Sequence, residues 1–301
     1  MTSVSDLSYL SNRSNINCIC GDQGGFIVRR KDRYGIRFLY KLCLKCGHVR
    51  TSNPLSSESA HHFYSSSDYR SMYLPGKDPK TVLLGKTPKP NTLSPLLKLV
   101  QSLSIPRGNL VEWGCGGGWN LVPFRDAGWR VQGFDYDKRY VELGKSLLGL
   151  DLHEIPSEKI VLRTIRPDVI VLNHVLEHAT DPMSLLKRLR TMCTEQTVLI
   201  VGVPLLETIS VWHWRSFFHV AHIHYFSADS MARTARESGF RIIHSDIKSG
   251  EFVLTKTEMG ELLPIRRRAV LQSVVALLKG FLEPSYRLRH VAHRIKNRVI
   301  G

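Results

Sequence analysis

The sequence predicts an α/β fold with an open, mainly parallel sheet, and three stretches predict it. In the first, the apolar run 109–113 reads as a strand, residues 114–118 (Gly-Cys-Gly-Gly-Gly) as a tight loop, and residues 119–127 as a helix. In the second, residues 129–135 form an apolar run that ends in Asp135, about twenty residues beyond the loop. In the third, residues 168–173 read as a buried strand. Its polar end carries His174, Glu177 and His178, and a helix follows that Asp181 begins with Pro182 at its first position. Ligand sites in open α/β sheets gather at the carboxyl ends of strands, so the His/Glu/His cluster is expected beside the glycine loop.

The elements in front of this unit come first in the chain. Four of the six cysteines fall within the first fifty residues, as Cys18-Ile19-Cys20-Gly21 and Cys43-Leu44-Lys45-Cys46-Gly47. Between them lie two expected strands, residues 25–31 and 37–42. Two cysteine pairs on facing knuckles, each followed by glycine, suit a tetrahedral Cys₄ zinc site in a small ribbon-like module over residues 1–55. The first pair is C-x-C rather than C-x-x-C, which strains the usual knuckle. That leaves open His48 as a substitute ligand, a site that has lost its metal, or four reduced structural thiols. Residues 56–105 read as a linker: residues 56–59 and 65–68 are serine-rich and loop-like, and an aromatic segment with Phe63, Tyr64, Tyr69 and Tyr73 interrupts them.

The glycine loop itself excludes one common reading. A dinucleotide fingerprint, G-x-G-x-x-G, needs a glycine at position 119, and Trp119 stands there. The spacing is E-x-G-x-G-x-G, with Glu112 inside the strand. Residues 196–203 read as a further strand, and residues 241–247 and 251–257 as a hairpin closed at Ser249-Gly250. Glu112, the loop, Asp135 and the HVLEH segment with its following Asp181-Pro182 together resemble the class I S-adenosylmethionine (SAM) methyltransferases. The wording at 174–182 is similar to that of small-molecule enzymes of this family, including ubiquinone-biosynthesis and sugar methyltransferases.

The resemblance covers residues 106–258 and implies a Rossmann-like, seven-stranded methyltransferase sheet behind the small zinc-ribbon-like module. It implies SAM as methyl donor, held by Glu112, Gly114, Cys115, Gly116, Gly118, Asp135 and Asn173. Asp135 would accept the ribose hydroxyls, whereas Cys115 reads as a small packing residue. Several sugar methyltransferases carry a zinc module of this kind. Their relatives often fold a Tyr-rich segment over the methionine end of SAM; packing of the same aromatics on the core is the alternative. Residues 212–227 are rich in histidine and aromatic side chains and would roof the crevice. There "H-x-H-Y-F-S" resembles the substrate-enclosing segment of sugar methyltransferases, although Ala221 stands where that family often has Glu.

Imidazoles titrate near neutral pH and can take a proton from an acceptor. His178 and His222 are therefore candidate general bases, with His174 and His224 as alternates. The same residues admit a metal reading. His174, Glu177 and His178, with His222, resemble the E-x-x-E-H cation site of ubiquinone-biosynthesis and small-RNA end methyltransferases, with imidazole replacing one carboxylate. That exchange disfavours Mg²⁺ and favours a softer ion or none, which places the metal reading second.

Charge and composition bound the rest. The net charge is +16, and residues 266–301 hold nine Lys/Arg against Glu283. Residues 259–301 read as a basic amphipathic tail. Its apolar stretch at 269–282 could lie on an anionic membrane surface through residues 260–301, pack on the core, or accompany phosphate binding to RNA. No apolar run reaches about eighteen residues, and the first residues lack the pattern of a secretory leader. A cytoplasmic protein is expected, with peripheral contact at the inner face of a membrane as one option. The absence of an Asn-Pro-Pro-aromatic tetrapeptide argues against adenine amino methylation, and that of a Pro-Cys dipeptide against cytosine-C5 chemistry. The expected activity is methyl transfer to a sugar or glycoconjugate, free or lipid-linked, as in polysaccharide biosynthesis. The rivals are ribosomal-RNA base methylation, methylation of a quinone-like small molecule, and SAM binding without turnover.

Overall fold

The computed structural model describes residues 7–66, 68–89, 93–155, 166–209, 214–257 and 267–282. The chain opens with three short antiparallel strands, β1 (Phe26–Lys31), β2 (Arg37–Leu42) and β3 (Val49–Thr51). Four helices follow: α1 (Ser57–Ser65), α2 (Asp68–Tyr73), α3 (Pro79–Lys86) and α4 (Pro95–Ser102). The serines at 56–59, expected in a loop, instead start α1. Ser56 Oγ accepts a hydrogen bond from the Ser59 amide, satisfying a donor that the first helical turn leaves open.

The main sheet is built from β4 (Asn109–Trp113), β5 (Arg130–Asp135), β6 (Asp151–Glu154), β7 (Val169–Asn173) and β8 (Val198–Gly202), all parallel. Helices α5 (Val122–Asp126), α6 (Lys138–Leu148) and α7 (Pro182–Arg190) connect them. A two-residue strand β9 (His224–Tyr225) and helix α8 (Ala228–Glu237) precede the antiparallel hairpin β10 (Phe240–Asp246) and β11 (Glu251–Lys256). The order across the sheet is β10-β11-β8-β7-β4-β5-β6. Strand order reverses between β4 and β7, so the loops leaving their carboxyl ends diverge and open a crevice.

The helix expected at 119–127 is shorter. Residues 118–121 run through turns, with Gly118 N–H on the Cys115 carbonyl and Leu121 N–H on the Gly118 carbonyl, and α5 begins only at Val122. Pro123 suits that first turn, where its missing N–H costs nothing.

Two apolar clusters cover the two faces of the main sheet, one around Phe134, Leu172 and Phe252 and the other around Phe124, Val171 and Ile200. A third joins Phe38, Tyr40 and Val49 to Phe63, Leu206, Phe218 and Tyr225. The small sheet has the order β1-β2-β3-β9, so its fourth strand comes from the far side of the sequence.

The last described helix, α9 (Arg267–Leu282), buries Ala269, Ser273, Ala276 and Leu277 and exposes Leu271, Val275 and Leu278. It begins against the second cysteine knuckle: a Cβ on Gly47 would lie 2.5 Å from the Ala269 carbonyl oxygen. Residues 269–278 therefore pack on the core, while the basic residues beyond 282 lie outside the described residues. No helix among the described residues is long and apolar enough to cross a membrane.

Candidate functional site

At the end of β4 the glycine loop is pinned from two sides. A Cβ on Gly114 would meet Val175 Cγ2 at 2.4 Å, so the loop touches the segment after β7 directly. From β5, Asp135 Oδ2 accepts the Gly116 amide at 2.7 Å and Oδ1 accepts the Asp137 amide at 2.9 Å. A carboxylate offers about four lone-pair sites, so acceptor capacity remains for ligand hydroxyls. Gly118 packs against Leu150 and Leu152, and the buried Cys115 thiol, raised well above the usual range by burial, lies against Gly133. These two contribute backbone rather than chemistry.

Glu112 is the unusual group here. It is fully buried, Asn120 Nδ2 donates to its Oε1 at 2.8 Å, and its Oε2 has no hydrogen-bond partner among the described residues. Burial pushes its carboxyl up to about 8. An orphaned buried carboxylate oxygen under the loop fits a cationic ligand group, such as the ammonium of SAM.

After β7, Asn173 is exposed at the strand end, and His174 adopts φ 55°, a conformation uncommon outside glycine. That bend turns His174 Nδ1 onto Glu177 Oε1 at 3.2 Å. The bond raises the His174 pKa, while its side chain stays well exposed. Glu177 is completely buried. His178 Nε2 and His222 Nε2 approach its Oε1 at 3.9 and 3.8 Å, and its Oε2 is unpartnered among the described residues. Burial lowers the pKa of both histidines, so each stands neutral with a lone pair to offer. His178 Nδ1–H donates to the Ala221 carbonyl at 2.8 Å, which places its lone pair on Nε2.

Tyrosines and a third histidine wall the pair. The Tyr64 hydroxyl donates to the Ala221 carbonyl at 3.0 Å and lies 3.1 Å from His178 Nδ1. Tyr73 hydrogen-bonds His219, whose ring lies 3.6 Å from that of His222. Burial pushes His219 down to about 2. The sequence marks both segments, the aromatic spacing at 63–73 and the histidine-rich stretch 212–227 that holds His219, but does not say which ring of one reaches which histidine of the other. Arg70 carries no signal of its own either. It pairs with Asp137 at 3.4 Å and lies over Tyr140 beside the loop.

His224 corrects an expectation. It does not line the crevice but sits buried in β9, with Nδ1 2.9 Å from His48 Nε2. His48 is not grouped with the cysteine sulfurs, which come together as a set of four without it. The four cysteine sulfurs need no substitute: they lie within 4.8 Å of one another, with Cys18–Cys46 at 3.4 Å and Cys20–Cys43 at 3.6 Å. Zn–S bonds of about 2.3 Å put tetrahedral sulfurs roughly 3.7 Å apart, so the donors fit zinc despite the C-x-C spacing. Hydrogen bonds from Cys18 and Cys46 hold the Cys43 thiol far below its usual range.

A reversed strand order, a pinned glycine loop and acids at two neighbouring strand ends define an α/β enzyme built around an adenosyl-type cofactor. Residues 89–245, more than half of the chain, match the family model described as a methyltransferase domain. The chain belongs to that methyltransferase-domain family.

Among solved structures it is similar to an O-methyltransferase family protein from Burkholderia thailandensis, with 12% identity, TM-score 0.45, and coverage of 65% of this chain and 64% of that one. The chain thus spans under two thirds of that protein's length. It is also similar to magnesium protoporphyrin IX methyltransferase from Synechocystis, at 15% identity and TM-score 0.44, covering 66% of this chain and 98% of that one. A third is a SAM-bound amino pentose methyltransferase of calicheamicin biosynthesis from Micromonospora echinaspora, at 13% identity and TM-score 0.41, covering 63% and 96%. No curated protein sequence matches the chain.

Proposed function

We propose that the protein methylates a sugar or glycoconjugate intermediate, with His178 and His222 as the proton acceptors. The observation that carries this reading is the buried Glu177 carboxylate flanked by two neutral imidazoles beside the glycine loop. SAM, when bound, supplies a methyl already activated on a sulfonium. Glu112 would face the ammonium of the donor, and Asp135 its ribose hydroxyls. A histidine lone pair removes the acceptor proton, and the imidazolium so formed is stabilised by Glu177 a few ångströms away. The tyrosine wall at 64–73 excludes water and orients the acceptor. His174, whose carboxylate bond raises its pKa, favours holding a proton over accepting one.

The cysteine cluster would hold a structural zinc in the N-terminal module (residues 1–55), ahead of the linker 56–105, the methyltransferase domain 106–258 and the tail 259–301. The exposed stripe Leu271, Val275 and Leu278, followed in the sequence by a basic tail, suits peripheral contact with an anionic membrane, where a lipid-linked saccharide would be met. A second reading is favoured by the grouping of Glu177, His178 and His222 within 4.8 Å: the three could ligate a divalent cation that binds the acceptor oxygen.

The deciding experiment offers labelled SAM with three acceptor pools: nucleotide sugars, lipid-linked glycans and RNA. Label in either saccharide pool is expected. Label confined to RNA sinks the proposal in favour of base methylation.

A further inference from the structure

The β1–β2 hairpin carries a marked excess of positive charge. Residues 29–41 contain six basic residues (Arg29, Arg30, Lys31, Arg33, Arg37 and Lys41) and a single acid, Asp32. Asp32 is buried and caps the turn. Its Oδ1 accepts the amides of Tyr34 and Ile36, both at 2.8 Å, and its Oδ2 accepts the Val220 amide at 3.2 Å. Lys31 and Arg37, both exposed, are direct cross-strand partners. Like charges placed opposite each other destabilise a strand pair, and an anion bound between them would reverse that cost. Among the described residues no carboxylate forms an ion pair with Lys31, Arg33 or Arg37.

Arg33 joins this patch to the crevice. Its amide donates to the Phe218 carbonyl at 2.8 Å, Nη1 to the Ser216 carbonyl at 3.3 Å and Nη2 to the Tyr34 hydroxyl at 2.6 Å. The guanidinium lies 4.7 Å from the Tyr34 ring centroid and 4.6 Å from that of Tyr73. Tyr73 in turn bonds His219, whose ring lies tilted against that of His222. A guanidinium has five N–H donors in a rigid fork, and the described residues engage two of the side-chain nitrogens here. Its other N–H groups, on a guanidinium packed near two phenol rings, are donors suited to the oxygens of a phosphate.

We infer that Arg33, backed by Lys31 and Arg37, is a phosphate-binding subsite at the rim of the acceptor crevice, so that the acceptor carries a phosphate or diphosphate. The inference rests on the acceptor site lying at His178 and His222, as proposed above. A nucleic-acid track would instead space its cations along a groove between stacking rings. Here Lys31, Arg33 and Arg37 stand around one turn, at the end of a single strand pair. A soluble nucleoside diphosphate sugar and a lipid-linked sugar diphosphate present the same group, and the structure's charge reads only that group.

The test uses the full chain and inorganic pyrophosphate, followed by titration calorimetry, with SAM titrated in parallel. Pyrophosphate is expected to bind wild type and to bind Arg33→Gln about tenfold more weakly, with Arg33→Lys in between because it keeps the charge and loses the fork. SAM affinity is expected to be equal in all three, which also reports that the variants fold. Displacement of pyrophosphate by UDP-glucose identifies the soluble source, and displacement by vesicles containing polyprenyl diphosphate the lipid source. Equal pyrophosphate binding by wild type and Arg33→Gln overturns the inference. So does displacement by a short RNA alone, with a steep salt dependence. Loss of SAM binding in wild type would strike the methyl-transfer reading instead, leaving the pyrophosphate result to stand by itself.

Discussion

Thr51 Oγ1 donates a 2.8 Å hydrogen bond to the carbonyl of His222, and the Thr51 amide donates to the next carbonyl, that of Ile223, also at 2.8 Å. On the other side the Ile223 amide donates to the Glu177 carbonyl at 2.8 Å. The backbone that carries His222 is thus clamped between the strand after the cysteine knuckle and the segment after β7. Thr51→Val keeps the shape and removes the hydroxyl donor from one buried carbonyl, a loss of about 1 kcal/mol. Steady-state assays should show a several-fold fall in kcat with SAM affinity unchanged, and Thr51→Ser should restore it. A Val variant at full speed would remove the clamp from the mechanism.

Asp135→Ala deletes the acceptor of both the Gly116 and Asp137 amides along with any ribose contact. Leaving such donors unpaired costs about 1–3 kcal/mol each where they are buried. SAM binding should vanish in calorimetry, and a variant that still binds SAM as wild type does would exclude Asp135 from the donor site.

His178→Ala should retain SAM binding and slow transfer by roughly 10²–10⁴, the usual contribution of a positioned general base. His174→Ala should have a much smaller effect, because His174 is exposed and its bond to Glu177 favours the protonated form. Unchanged turnover in the first variant would remove His178 as the base.

Glu112 should make stability fall with rising pH. Its folded carboxyl titrates at about 8 against 4.5 for an unperturbed one, chiefly because of burial. Between those values the unfolded chain has released a proton that the folded chain keeps. Stability therefore declines from about pH 4.5 to about pH 8 and levels off above, by an amount on the order of a few kcal/mol. Denaturant melts of the SAM-free protein should show a flatter profile for Glu112→Gln than for wild type over that window. Parallel curves for the two would contradict a buried protonated Glu112.

The cysteine cluster should yield close to one zinc per chain on elemental analysis, and Cys43→Ser should lose it. Chelation should lower the melting temperature and depress transfer more than SAM binding, since the strand after the knuckle holds the His222 backbone rather than the glycine loop. A metal-free preparation of undiminished melting temperature would leave the cysteines as plain thiols.

The centre of the fold is legible in the sequence because continuous apolar runs mark buried parallel strands and glycines mark the turn at their ends. Asn109–Trp113 and Val169–Asn173 fall within those runs. Contacts between distant segments are not. In H-x-H at 222–224 the two histidines look equivalent, being two apart on a strand. Yet β9 begins only at His224, whereas His222 ends a turn whose amide bonds the His219 carbonyl at 3.0 Å, so the two rings face different surroundings. Ser56 reads as loop for a similar reason: a serine looks alike in a loop and at a helix cap until its partner, the Ser59 amide, is in place.

The two-residue strand β9 has a consequence for how such a protein can be made or remade. Because Arg50 pairs with His224 and Val49 with Tyr225, the first fifty residues and the roof of the crevice are halves of one sheet separated by some 170 residues of chain. The cysteine-bearing segment is therefore not an exchangeable cassette. A graft that swaps it from a relative, or a shortened chain that starts after it, must bring its own 222–225 or leave that roof with a bare edge.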